Sequence, residues 1–259
     1  MAKPQLAHQY LETRLLQASE LARALHTIKI ANQQVTLVKQ EAWQRLRPLY
    51  EAVHGVSAAP RPHVTLDERT AITVTRSDAQ RNGAAYLMQG WSIAEKQLLW
   101  SVAAPHSMGR PFAWQRRVLA GDGRSGQLTI RHAWTGQCEA ALPAQGEPLT
   151  STRTPHGIVV ATRQGAQTNV IAIDLQEHAV QPLLTTRAYE LVKISADARM
   201  LLGASENWVE ITDISGQQHV RIESNATIAS IEITKTGDVY TVIASDAAAS
   251  EAVGVQVLT

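Results

Sequence analysis

Apolar residues recur along the first quarter of the chain with heptad spacing. One row holds positions 11, 18, 25, 32, 39, 46 and 53, and a second row holds positions 14, 21, 28, 35, 42 and 49. The cleanest part of the pattern is the seam formed by Leu21, Leu25, Ile28, Asn32 and Val35. Such rows share one face of a helix, and a polar Asn within a coiled-coil seam fixes register and strand number. We therefore expect a helical segment over residues 1–56 that is compatible with a coiled coil.

Residues 27–38 also fit a second interpretation. This stretch is rich in β-branched residues and could equally be drawn as a hairpin with its turn at 31–34. We favour the long helix, which Pro48 is expected to end or kink near Arg47. A Pro- and Gly-containing linker is expected over 57–65.

From residue 66 to residue 259 the hydrophobic period changes to two, and short apolar runs alternate with turn residues. One apolar strand recurs every 38 to 44 residues, with anchors at Met88, Ile130, Ile173, Ile211 and Val255. The strand before it recurs with nearly the same spacing, with anchors at Leu119, Val160, Leu202 and Thr241. Two strands that share one period indicate stacked β repeats.

These repeats resemble the WD40-type β-propeller. The stretches Leu128–Gly136 and Val209–Gln217 are similar to the third strand and turn of that family, V-x-I-W-D-x-x-T-G. Ile194–Ser205 is similar to the S-P-D-G-x-x-L-A-S-G-S start of a blade. The Trp-Asp and Gly-His dipeptides of the family are absent. The resemblance implies a mainly β fold of about five four-stranded blades over 66–259.

The last repeat stops after its third strand, because the sequence ends at Thr259. A ring of blades leaves no unprotected edge only if every blade is complete. We therefore expect an N-terminal segment to supply the missing strand, and both 27–38 and 64–74 have suitable composition.

Composition narrows the class of protein. The 259 residues carry a net charge of +1, which does not favour nucleic acid as a partner. Cys138 is the only cysteine, so an intrachain disulfide is excluded and a buried structural thiol is expected. The sequence predicts neither a secretory signal nor a membrane span, which favours a cytoplasmic protein.

The sequence contains no recognisable catalytic, cofactor-binding or metal-binding motif, so we expect no catalytic residues, no cofactor and no metal. An enzyme or small-ligand binder would instead gather polar residues from several blades at a central channel. Its candidate residues are Asp122, Asp174, Asp213 and His132.

A basic and aromatic patch is a candidate partner-binding surface on the β repeats. It consists of Arg110, Trp114, Arg116, Arg117, Arg124 and Arg131. Arginine beside aromatic rings is typical of protein–protein hot spots and also of nucleic-acid contacts.

The leading hypothesis is a non-catalytic interaction scaffold, tethered through its N-terminal helix to itself or to a larger assembly. An enzyme or ligand binder that uses the channel is the first alternative. By analogy with other degenerate propellers, a subunit of a bacterial MoxR-type ATPase and von Willebrand A assembly, or of a defence assembly, is the second alternative.

Overall fold

The computed structural model describes residues 12–54, 63–67, 70–76, 86–104, 111–121, 125–142, 145–246 and 252–258. Near the N-terminus lie the short strand β1 (Glu12–Leu15) and the helix α1 (Ala18–His54). Residues 27–38 are therefore helical, and the hairpin interpretation is wrong. Pro48 does not end the helix, which continues for six more residues to His54.

Twenty strands form five antiparallel sheets of four strands each among the described residues. Blade 1 contains β2 (His63–Asp67), β3 (Thr70–Arg76), β4 (Tyr86–Ser92) and β5 (Gln97–Ala104). Blade 2 contains β6 (Phe112–Trp114), β7 (Arg117–Gly121), β8 (Leu128–His132) and β9 (Cys138–Leu142). Blade 3 contains β10 (Glu147–Arg153), β11 (Gly157–Gln164), β12 (Gln167–Asp174) and β13 (Val180–Arg187).

Blade 4 contains β14 (Leu191–Ile194), β15 (Met200–Ser205), β16 (Trp208–Asp213) and β17 (His219–Glu223). Blade 5 contains β18 (Ile228–Thr236), β19 (Val239–Asp246) and β20 (Ala252–Leu258), and β1 is its fourth strand. Four of these sheets are simple meanders, and blade 5 is a three-stranded meander completed by β1. Four-stranded antiparallel sheets of this kind are the repeating unit of a propeller. The predicted fold class, mainly β with five propeller-like blades and an N-terminal helix, is confirmed.

The fourth strand of blade 5 does come from the N-terminus, but not from either segment that composition suggested. Glu12 pairs with Leu258 and Leu15 with Val255 in antiparallel register. Residues 27–38 belong to α1, and 64–74 falls on β2 and β3 of blade 1. The expectation for 27–38 and 64–74 was therefore wrong, because helix formation and local hairpin pairing already use these two segments.

The repeat anchors of the sequence lie on the third and second strands of their blades. Met88, Ile130, Ile173, Ile211 and Val255 are all buried. On the second strand of blade 5 the anchor is shifted by one residue, since Val242 pairs with Val255 and Thr241 pairs with Gln256. Successive side chains of a strand point to opposite faces, so this shift moves the anchor from Thr241 to the buried Val242.

Contacts divide the chain into two compact units, Met1–Lys29 with Tyr189–Thr259, and Ile30–Ala188. In the first unit, the buried faces of blades 4 and 5 share one core that includes Met200, Ile211, Tyr240 and Val242. In the second unit, Trp100 of blade 1 packs with Val118 of blade 2. A further core in that unit joins blades 2 and 3 and includes Leu128, Ile130, Val160 and Ile173.

Candidate protein interface

Helix α1 begins with a carboxylate cap. The backbone N–H of Gln17 donates to Oε2 of Glu20 at 3.0 Å, and the N–H of Leu21 donates to the carbonyl of Gln17. Glu20 thus satisfies an amide at the helix start and places a negative charge in the first turn, both of which stabilise the helix. Near the other end, Arg47 and Glu51 form an ion pair of 2.6 Å at the favourable i,i+4 spacing.

The C-terminal half of α1 is fastened to blade 1. Leu46 and Tyr50 are buried with Ala71 and Trp91 in one apolar cluster. The Tyr50 ring lies 5.8 Å from the Trp91 ring, and its hydroxyl is 2.7 Å from Oγ1 of Thr75. Burial raises the pKa of the Tyr50 hydroxyl, although the hydrogen bond with Thr75 acts in the opposite direction. Pro48 itself is exposed. The contacts of Leu46 and Tyr50 on either side of it explain why the helix continues past this proline.

The heptad seam is partly used within the chain itself. Leu21 and Ile28 are half-buried, while Leu25 is 36% exposed. The side chains of Asn32 and Val35 lie outside the described residues. Farther along, the same rows supply the buried Ala42 and Leu46. A role of the seam residues in partner binding stays a prediction.

Exposed large hydrophobic side chains are concentrated on α1, and three of them, Ile30, Leu37 and Val38, lie outside both heptad rows. Among the described residues, six large hydrophobic side chains are exposed, and five of them lie on this helix: Leu25 (36%), Ile30 (42%), Leu37 (57%), Val38 (55%) and Val53 (47%). Ile30 and Leu37 are two turns apart and therefore share one face, which lies away from the heptad seam. This face contains few apolar residues and therefore shows no heptad row in the sequence. The i,i+7 spacing of Ile30 and Leu37 was the available signal.

The basic and aromatic patch falls around blade 2. Trp114 is half-buried at the end of β6, and Arg116 is exposed in the following turn with a positive φ of 63°. Arg117 donates from Nε to Glu139 at 2.7 Å, and Arg131 donates to the carbonyl of Gly136 at 3.0 Å. Arg110 and Arg124 lie outside the described residues. The guanidinium groups of Arg117 and Arg131 are thus already hydrogen-bonded within blade 2. Binding of a partner by this patch stays a prediction.

Three candidate channel residues occupy one equivalent position in successive blades, at the end of the third strand. Oδ1 of Asp174 accepts from the amides of Gln176 and Glu177, at 2.7 and 3.0 Å. Oδ1 of Asp213 accepts from the amide of Ser215 at 2.7 Å. The two turn amides are the main cause that lowers the pKa of Asp174.

His132 completes this set of turn residues. Its Nδ1 accepts from the amide of Thr135 at 3.3 Å. All three side chains thus stabilise the hairpin between the third and fourth strands, as short polar residues do in turns. The fourth candidate, Asp122, lies outside the described residues.

A polar cluster in the first unit was not predicted as a site. Oδ2 of Asp197 accepts from Nζ of Lys235 at 2.7 Å and from the hydroxyl of Tyr240 at 2.5 Å. Its Oδ1 accepts from the hydroxyl of Ser195 at 2.6 Å and from the amide of Arg199 at 3.3 Å. Partial burial disfavours the charged form, but these hydrogen bonds outweigh it and hold the pKa of Asp197 well below its usual range. The cluster ties the start of blade 4 to blade 5.

Cys138 differs from its expected environment. It is exposed at the start of β9 rather than buried, and its thiol donates to the carbonyl of Ala140 at 3.4 Å. The thiol is therefore not part of the apolar core of blade 2, and the prediction of a buried thiol is wrong.

No family model and no curated protein matches this chain. Two solved structures similar to it are BamB from Moraxella catarrhalis and the WD40 domain of Pan2 from Neurospora crassa. BamB is 13% identical with a TM-score of 0.48, over 74% of this chain and 71% of BamB. The Pan2 domain is 12% identical with a TM-score of 0.48, over 75% of this chain and 61% of that domain.

The five four-stranded antiparallel sheets define the architecture independently of these two similarities. The fold is WD40-like. Asp213 ends the third strand of blade 4, at the position of the Asp in the WD40 pattern, and Ser195 and Asp197 lie in the turn between the first and second strands of that blade. Within the described part of the chain, no helix is both long enough and apolar enough to span a membrane.

Proposed function

We propose that this protein is a non-catalytic interaction scaffold, in which the face of α1 that exposes Ile30 and Leu37 binds a protein partner. The observation that carries the proposal is the distribution of exposed apolar side chains. Five of the six large ones among the described residues are on α1, and only Trp134 is on the blades. Exposed apolar surface concentrated on one element marks a surface for association.

The attachment of α1 to the blades supports this role. Leu46 and Tyr50 fix the second half of the helix in an apolar cluster on blade 1, and Leu21 contacts blade 5. A helix held in this way is already ordered, so a partner need not supply the free energy of folding it. The turn-stabilising roles of Asp174, Asp213 and His132 give these three residues a structural use that requires no catalysis.

Site-specific photocrosslinking of the full chain in its native cells tests the proposal. A photoreactive residue at Leu37 is expected to yield a discrete protein adduct after irradiation. The same residue at Gln217, an exposed turn position of blade 4, serves as the matched control and is expected to yield none. If Leu37 gives no adduct, or both positions give the same adducts, the proposal is wrong.

A further inference from the structure

The exposed face of α1 has a regular order of residues. Arg23, Thr27, Ile30, Gln34, Leu37 and Glu41 follow one another at alternating steps of four and three, and all six are exposed. We call these six residues the outward stripe. Helix α1 is continuous over this range, so helical geometry alone places them in one row about 27 Å long. Steps of four and three are the spacing of the a and d positions of a coiled coil.

The outward stripe is self-complementary in one orientation only. In an antiparallel pair of helices, each a position faces a d position of the other helix. Thr27 then faces Leu37, and Ile30 faces Gln34. The same alignment brings Arg23 of each helix opposite Glu41 of the other, so the stripe ends in an ion pair on both sides. A parallel pair in register would instead place Arg23 against Arg23 and Glu41 against Glu41, which repel.

The residues beside the stripe fit the same arrangement. On one side lie Ala31 and Val38, which are exposed and apolar. In the antiparallel pair, the Ala31 and Val38 side of one helix faces the same side of the other helix, so small and apolar side chains meet there. On the other side lie His26, Gln33 and Gln40, which are exposed polar side chains and include no carboxylate, Lys or Arg. No like-charge contact between fixed charges therefore opposes the pairing.

We propose that a second copy of this chain occupies the outward stripe, with the two α1 helices antiparallel and Arg23 of each against Glu41 of the other. The inference rests on the proposed function and names its partner. Ile30, Leu37 and Val38 are the large apolar side chains that each copy contributes. We therefore expect a weak, reversible dimer with a dissociation constant on the order of 10 to 100 µM.

Analytical ultracentrifugation of the purified full chain over a concentration series tests this pairing. Wild type is expected to pass from monomer to dimer. Arg23→Glu and Glu41→Arg are each expected to weaken the dimer by about tenfold, because each replaces two ion pairs with two like-charge pairs. The double variant R23E/E41R restores both pairs with exchanged signs, and its dissociation constant is expected to return to within about twofold of wild type.

Leu37→Lys supplies an independent test, since it places charge inside the stripe and is expected to abolish the dimer. Arg47→Glu is the matched control on the same helix, because Arg47 lies off the stripe and pairs with Glu51 within its own chain. Circular dichroism confirms folding of each variant. A wild type that stays monomeric, a dimer that Leu37→Lys leaves intact, or a double variant without rescue would each overturn the proposal. A monomeric protein that still crosslinks to another protein at Leu37 would leave the proposed function standing.

Discussion

The backbone N–H of Leu16 donates to the carbonyl of Gly254 at 2.8 Å, which joins the segment after β1 to the last blade. The side chains of Leu16 and Leu21 pack against the bare α-carbon of Gly254. A Cβ at this position would lie 2.7 Å from the Cδ1 atoms of both leucines. Glycine at 254 therefore sets how closely the N-terminal segment approaches β20.

Gly254→Val is expected to displace Leu16 and Leu21 and to weaken the pairing of β1 with β20. The loss of packing and strand pairing should cost about 2 kcal/mol in the free energy of unfolding. Hydrogen exchange should increase selectively over residues 12–21. Gly165→Ala is the control, since no atom lies within 4 Å of a Cβ there and its strain is confined to a φ of +59°. Unchanged exchange over 12–21 in Gly254→Val would contradict the role of this contact.

The Trp100 ring packs against Gly90 and Gly136. Substitution of Gly136 tests this packing. The indole Nε1 donates to the carbonyl of Ala133 at 2.8 Å, and a Cβ on Gly136 would lie 2.5 Å from the ring. Gly136→Ala should destabilise the protein by about 3 kcal/mol, through steric overlap as well as a φ of +70°. Gly165→Ala shares the positive φ but not the overlap, and should cost about 1 kcal/mol. Equal losses in urea denaturation would show that Trp100 does not restrict residue 136.

Asp197 makes the free energy of unfolding depend on pH in the acidic range. Its pKa is lowered in the folded state from about 3.9 in an unfolded chain. The carboxylate therefore contributes stability that is fully present above about pH 4 and is lost as the pH falls through the folded pKa. Asp197→Asn should destabilise the protein by about 2 kcal/mol at pH 7, and the gap to wild type should narrow below about pH 4.

Urea denaturation at pH 7 and at about pH 3 measures this change for Asp197→Asn. Glu177→Gln is the control, because Glu177 lies in an exposed turn and is expected to show the same small effect at both pH values. A constant gap between wild type and Asp197→Asn across this range would mean that the carboxylate charge contributes nothing.

Ala198 adopts a conformation that suits glycine better. Its φ is +60°, in the turn where the WD40-type blade start has glycine after Asp. A side chain in the left-handed region costs about 1 kcal/mol, so Ala198→Gly should raise the free energy of unfolding by about 0.5 to 1 kcal/mol. Ala179→Gly, at an exposed turn position without a positive φ, should lower it slightly. Thermal unfolding of the two variants should therefore shift in opposite directions.

The strands were predictable because their burial is periodic. Residues such as Ile130 and Ile211 recur at one spacing and face the same kind of apolar core, so the sequence carries the repeat directly. The strand β1 was not predictable as such, because pairing of Glu12 with Leu258 depends on positions at opposite ends of the sequence. The spacing of Arg14 also fits the second heptad row, so the local pattern favours a helix at this position.

The candidate sites were harder to predict for a related reason. Asp174 and Asp213 have residue types suited to catalysis, and only the turn geometry shows that they bind amides of their own hairpins. The outward stripe was hard to predict because four of its six residues are polar, so it does not form an apolar row in the sequence. Exposure, which the sequence does not encode locally, distinguishes Ile30 and Leu37 from the buried Leu46.

The pairing of β1 with β20 has a consequence for biosynthesis. Of the strands described, β1 is synthesised first and its partner last, so β1 stays without its native neighbour while blades 1 to 4 emerge from the ribosome. Among the described strand pairs, β1 and β20 are the farthest apart in sequence, and such non-local contacts form late and slowly. Until β20 has emerged and paired, β1 presents an unpaired edge, which exposes the nascent chain to aggregation during that interval.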